Sequence, residues 1–186
     1  MSLLDRIRAV GHQAWHPVGA AGFGAAMVLF AVVSYFANTG ERWVFLLDSA
    51  NLALHEAGHP LFGLLLGERM AVYGGTLMQL IFPMAATLSF WQRREAVSFA
   101  LCMAWGCENL WNIARYMADA RAQVLPLVGG GEHDWTEIFS RWGVLHRDLQ
   151  IAGWVTIFGW AGILAVWGWL GRRWLRDRVS HGSGDA

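Results

Sequence analysis

Residues 51–67 read NLALHEAGHPLFGLLLG, which sets two histidines and a glutamate into a stretch otherwise fit for a protein core or a bilayer. Polar groups buried in such surroundings are costly unless partnered, so His55, Glu56 and His59 call for a reason to be there. The segment HEAGH fits the pattern His-Glu-x-x-His. On a helix this spacing offsets the two imidazoles by about 40° and one turn, so both reach one ion. Zinc suits the pair, because it takes neutral nitrogen ligands and is usually tetrahedral. Glu56, next to the first histidine, is placed to take a proton from a water that attacks a carbonyl. Pro60 removes a backbone bond to Glu56 and predicts a local opening of the helix there.

A catalytic zinc needs about three protein ligands. The remote donors closest to that requirement lie in GGGEHDWTE, residues 129–137. Asp134 and Glu137 have the spacing of a helix-starting box, which would employ Asp134 as a cap. That leaves His133, just outside the helix, as the favoured third ligand, with Asp134 the alternative and Glu132 behind both. The three glycines before them let the backbone bend closely around a site.

Other polar residues recur on helical spacing. Asp48, seven before His55, is a candidate to accept the second N–H of that imidazole and orient it. Glu108, Asn112, Arg115 and Asp119 share one face of a later segment, with Asn109 a step aside. The ordinary reading is a self-satisfying network within a bundle. The functional reading has Asn112 or Asn109 donating to a developing oxyanion or to substrate backbone, and Glu108 competing as a ligand. In YGGTLMQLIFP, Gln79 would clamp a substrate strand if the segment is extended; if it is helical, Gly74 and Gly75 are packing points.

The elements that carry these residues are hydrophobic. Residues 18–37 form an uncharged run long enough to cross a bilayer core, and further apolar stretches cover about 43–66, 70–91, 96–117 and 151–170. The fold class expected is an all-α polytopic membrane helix bundle of four to five spans, with a re-entrant segment at 70–84 as an option. Five full crossings would put seven arginines on each side; a dip at 70–84 would put nine on the side of both termini and five opposite. The second arrangement follows the positive-inside rule. Residues 1–17 read as an amphipathic lead, with a retained anchor rather than a cleaved signal after it, and 172–186 as a basic, disordered tail.

Composition agrees with lipid contact. Of 186 residues, 55% are hydrophobic and only 15% charged, well below an ordinary soluble domain. Net charge is zero, so nothing points to nucleic acid. Cys102 and Cys107 face different sides of a helix, which predicts buried thiols and no disulfide.

With HEAGH inside a hydrophobic segment, a Gly-rich apolar stretch after it and a distant acidic or histidine ligand, the chain resembles the site-2 protease family of intramembrane zinc metalloproteases. The resemblance implies that 18–171 form a membrane-embedded zinc metalloprotease-like domain. It further implies Zn2+ on His55 and His59, Glu56 as general base, and a membrane-embedded peptide or protein as substrate. An integral, multi-pass location follows, in the inner membrane if the source is bacterial. The family's usual aspartate in an Asp-Gly setting is missing here; GGGEHDW stands in its place. Two other expectations compete with proteolysis: a non-proteolytic zinc-binding scaffold or sensor, and a membrane metallohydrolase acting on a lipid or a small amide or ester.

Overall fold

The computed structural model describes residues 3–40, 42–128 and 132–182, and among them every regular element is helical. In chain order these are α1 (Leu3–Gly11), α2 (Ala20–Asn38), α3 (Phe45–Leu66), α4 (Glu68–Arg93), α5 (Ala96–Ala118), α6 (Asp134–Arg141) and α7 (Asp148–Gly182). A single 3-10 turn, Leu145–Arg147, leads into α7.

Three segments are long and apolar enough to cross a membrane: Ala20–Asn38, Glu68–Arg93 and Leu145–Ser180. They turn Val28, Tyr35, Met84, Leu88, Ile157 and Phe158 outward. A surface that apolar suits lipid. The α3 and α5 helices are not among the three; they carry the polar stripes instead, with Asp48, Asn51 and His55 buried on α3 and Glu108 and Asn109 buried on α5.

The re-entrant segment considered for 70–84 is not formed. Residues 68–93 make one continuous helix that includes Pro83. Gly74 and Gly75 serve close approach, the packing role open to them in a helical segment. A Cβ on Gly58 would lie 2.2 Å from the carbonyl oxygen of Gly74, so α3 and α4 touch backbone to backbone there. Because α4 runs straight through, Arg69 and Arg94 stand at its opposite ends. The amphipathic lead and the C-terminal arginines do gather around Arg94. Its guanidinium donates to the carbonyls of Gln13 and Gly11 and lies 4.2 Å over the Trp15 ring, while Arg173 donates to the Trp15 carbonyl.

The basic stretch after residue 171 is helical as far as Gly182, where a disordered tail was expected; 183–186 lie outside the described residues. Two contacts hold it. Asp177 accepts the N–H of Val18 at 2.8 Å, and Trp174 stacks on Phe23 with ring centroids 4.3 Å apart.

Two apolar clusters fix the architecture. One joins α2, α5 and α7 through Phe30, Ala100, Ala104, Trp111, Ile163 and Leu170. The other seats the short α6 by burying Trp135, Ile138 and Phe139 against Ile113 and Met117 of α5 and Ala152 of α7. Each large side chain so buried is worth about 1.5–3 kcal/mol, enough to hold an eight-residue helix that has little stability alone. The first residue of that helix is Asp134.

Candidate metal centre

The α3 helix delivers His55 and His59 on one face, as their spacing requires, with ring centroids 4.8 Å apart. The seated N-terminus of α6 brings Asp134 to them. His55 Nε2 lies 2.8 Å and His59 Nε2 3.4 Å from Asp134 Oδ2. One donor atom from each of the three residues falls within 4.8 Å of the others, so the group could hold a metal ion. For ligands about 2.0–2.1 Å from a tetrahedral ion, neighbouring donors stand about 3.3 Å apart, which the His59–Asp134 distance matches, while His55 and Asp134 stand at direct hydrogen-bond distance.

The other ring nitrogens show how the donors are prepared. His59 Nδ1 meets the Ala71 carbonyl oxygen at 2.8 Å, and a carbonyl only accepts, so the hydrogen is on Nδ1. His55 Nδ1 meets Gln79 Oε1 at 3.0 Å. In each neutral ring, the lone pair is then on Nε2 and aimed at a carboxylate oxygen. Three electron-rich atoms facing one another are stable only with a cation or protons among them. Two nitrogens and one carboxylate oxygen make a donor set that could hold a metal ion, and Gly75 makes room for them: a Cβ there would sit 2.5 Å from His55 Nε2.

His133 does not join the group, contrary to the ligand order read from the sequence. It is the residue that caps α6, its Nδ1 accepting the N–H of Thr136, while its Nε2 faces Asp119 Oδ2 at 3.4 Å. Burial pushes its pKa below the ordinary histidine value, and the cap contact to Thr136 holds its Nδ1 away from the donor group. The roles of the two neighbours are exchanged: histidine caps and aspartate points inward. Glu132 is exposed but lines the cavity in front of the site. The glycines at 129–131 lie outside the described residues.

That cavity holds about 630 Å³. Glu56, Gln79, Asn112, Arg115 and Tyr116 line it beside the three donors, with Leu52, Val72 and Leu125–Val128 as apolar walls. Asp48 lines it too, but does not touch His55. Asp48 accepts instead from Val44 N, Asn112 Nδ2 at 2.9 Å and Asn51 Nδ2 at 3.4 Å. Gln79 takes the place expected for Asp48 and in turn donates to Asn112 Oδ1 at 3.2 Å. Glu108 is fully buried and accepts from Asn51 at 2.9 Å, away from the donor group. Asn109 donates to the Trp105 carbonyl within its own helix and is not among the cavity residues. Cys102 and Cys107 are free thiols.

Sequence reasoning misses Tyr116, though it lies four after Asn112 on the same stripe of α5. Its hydroxyl accepts the N–H of Asp134 at 3.2 Å, and its ring packs 5.8 Å from that of His55. Asn51, beside the motif, has no role legible in the sequence; its Oδ1 is held by Trp105 Nε1 at 2.7 Å.

The chain matches no family model, no curated protein and no solved structure. What it does must be read from this cluster of side chains.

Proposed function

We propose that the chain is a membrane-embedded zinc metalloprotease that hydrolyses peptide bonds of substrates reaching it from the bilayer, as its resemblance to the site-2 protease family implies. The observation that carries this reading is the convergence of His55 Nε2, His59 Nε2 and Asp134 Oδ2 on one point of a large cavity that Glu56 also lines. Zinc on these three residues supplies a Lewis acid for the scissile carbonyl and makes water a usable nucleophile near neutral pH.

The side chains divide the remaining work. Glu56 takes a proton from the attacking water and returns it to the departing amine. Tyr116 receives the Asp134 N–H on its oxygen, so its own proton is available for the oxygen of the substrate carbonyl as negative charge develops there. Leu52, Val72 and Leu125–Val128 offer apolar contact to substrate side chains, while Asn112 and Arg115 offer polar contact to an unwound backbone. Three apolar helices fit a multi-pass membrane location for such chemistry.

The test is Glu56→Gln in the full chain, assayed on a synthetic transmembrane peptide with products read by mass spectrometry and zinc measured alongside. Zinc should stay at the wild-type ratio while hydrolysis disappears. Retained hydrolysis overturns the role of Glu56. An absence of hydrolysis in the wild type, with zinc bound, favours the scaffold or sensor reading.

A further inference from the structure

Between Asp48 and His55 runs a line of hydrogen bonds, buried at both ends, that crosses three helices: Asp48 on α3, Asn112 on α5, Gln79 on α4, and His55 back on α3. We infer that Asp48 is a positioning residue whose charge fixes, through two amides, which nitrogen of His55 carries the hydrogen. The inference rests on reading His55, His59 and Asp134 as a metal centre.

The argument is one of polarity. A carboxylate only accepts, whereas each amide has one accepting end and one donating end. Glu108 faces Asp48, and burial beside that carboxylate keeps the proton of the pair on Glu108, so Asp48 accepts; Asn112 must then turn its NH2 toward Asp48 and its oxygen toward Gln79. Gln79 must then give its NH2 to Asn112 and its oxygen to His55. His55 must answer with a hydrogen on Nδ1, which leaves Nε2 bare at 2.8 Å from Asp134. The observed contacts, 2.9, 3.2 and 3.0 Å in order, run in that sense throughout. Asp48 is 1% exposed and Gln79 4%, so solvent competes little for either.

Replacing the carboxylate by an amide of the same shape reverses the line. In Asp48→Asn, the N–H of Val44 is backbone and cannot turn, so the new amide oxygen must face it. The new NH2 then points at Asn112, and the contact with Asn51, the longest of the set at 3.4 Å, yields. Asn112 flips, Gln79 flips after it, and an NH2 now faces His55 Nδ1. The ring hydrogen moves to Nε2, where it bonds Asp134 directly and occupies the position a metal needs. Adding Gln79→Glu repairs the defect. The amide introduced at position 48 donates to Asn112, Asn112 donates to the carboxylate introduced at position 79, and that carboxylate accepts from His55 Nδ1.

The test uses the full chain in detergent, with two readouts: zinc affinity by competition with a chelator, and the His55 tautomer by 15N NMR of histidine-labelled, zinc-free protein, assigned by loss of the signal in His55→Ala. Wild type should show hydrogen on Nδ1, with any second proton on Nε2 shared with Asp134 in the absence of zinc. Asp48→Asn should show it on Nε2 and bind zinc about 10–100-fold more weakly. The Asp48→Asn/Gln79→Glu pair should return both readouts to near wild type, which a single variant that merely misfolds would not allow. Unchanged tautomer and affinity in Asp48→Asn, or no recovery in the pair, overturns the inference. Retention of zinc by His55→Ala would instead overturn the metal centre itself.

Discussion

Gly75 offers the sharpest perturbation of the centre, because the space a methyl group would need is already filled by a donor ring. A Cβ at this position would lie 2.5 Å from His55 Nε2, 2.6 Å from Cε1 and 2.7 Å from Cδ2. Ordinary contact begins near 3.4 Å, so in Gly75→Ala the imidazole must retreat by about 1 Å. It cannot do so and keep its place. Metal–ligand distances tolerate only about 0.2 Å, and the ring is tied on its far side to Gln79 at 3.0 Å. Gly75→Ala should therefore cost on the order of 100-fold or more in zinc affinity, at least the effect of losing a supporting hydrogen bond.

Two other glycines separate this effect from damage to the helix pair. A Cβ on Gly74 would lie 2.4 Å from the Gly58 carbonyl oxygen, backbone that cannot move aside, so Gly74→Ala should lower the melting temperature of the zinc-free chain. A Cβ on Gly106 meets nothing within 4 Å, and alanine there should be neutral or stabilising by up to about 1 kcal/mol. Chelator competition and thermal melts of the three variants, each with and without zinc, give the comparison. Gly75→Ala should cost the zinc-free chain no more than about 1–3 kcal/mol and lose most of the zinc-dependent gain. Wild-type zinc affinity in that variant would refute the placement of His55 against α4.

Because His133 caps α6 rather than binding metal, His133→Asn should keep full zinc stoichiometry, and His133→Ala should lose about 1 kcal/mol of stability with zinc retained; loss of zinc from the asparagine variant would reinstate His133 as a ligand. Tyr116→Phe should leave zinc in place and slow peptide hydrolysis roughly 10²–10³-fold, and an unchanged rate would remove the phenol from the reaction.

How far these features were legible in the sequence depends on the distance over which each is encoded. His55, Glu56 and His59 were readable because helical spacing is local and survives any packing. Their third partner was narrowed to two adjacent residues and then misordered. Either His133 or Asp134 can cap a helix, and which of them faces inward depends on how Trp135, Ile138 and Phe139 roll α6 onto α5. Gly74 and Gly75 read as packing points if their segment is helical, and α4 is; that they answer to Gly58 and His55 on another helix is what sequence order does not reveal. Asp48 was placed on the correct face and given the wrong partner. Seven residues of helix rise about 10 Å, too far for one hydrogen bond, and the gap is bridged by amides from two other helices.

That bridge bears on why so apolar a chain keeps so many buried polar groups. Asp48, Asn51, Gln79, Glu108 and Asn109 are all nearly inaccessible, and networks of this kind contribute little to stability beyond what well-packed apolar side chains would give. A bundle maintained only to span a bilayer would gain by replacing them. Their arrangement is also directional: the network reaches the imidazole of His55, whose Nε2 opens onto a 630 Å³ cavity beside a carboxylate. A network that merely satisfied itself would have no need to end on an imidazole that faces a second histidine and a carboxylate. Its polarity is what a cation-binding site requires and what a self-contained core does not.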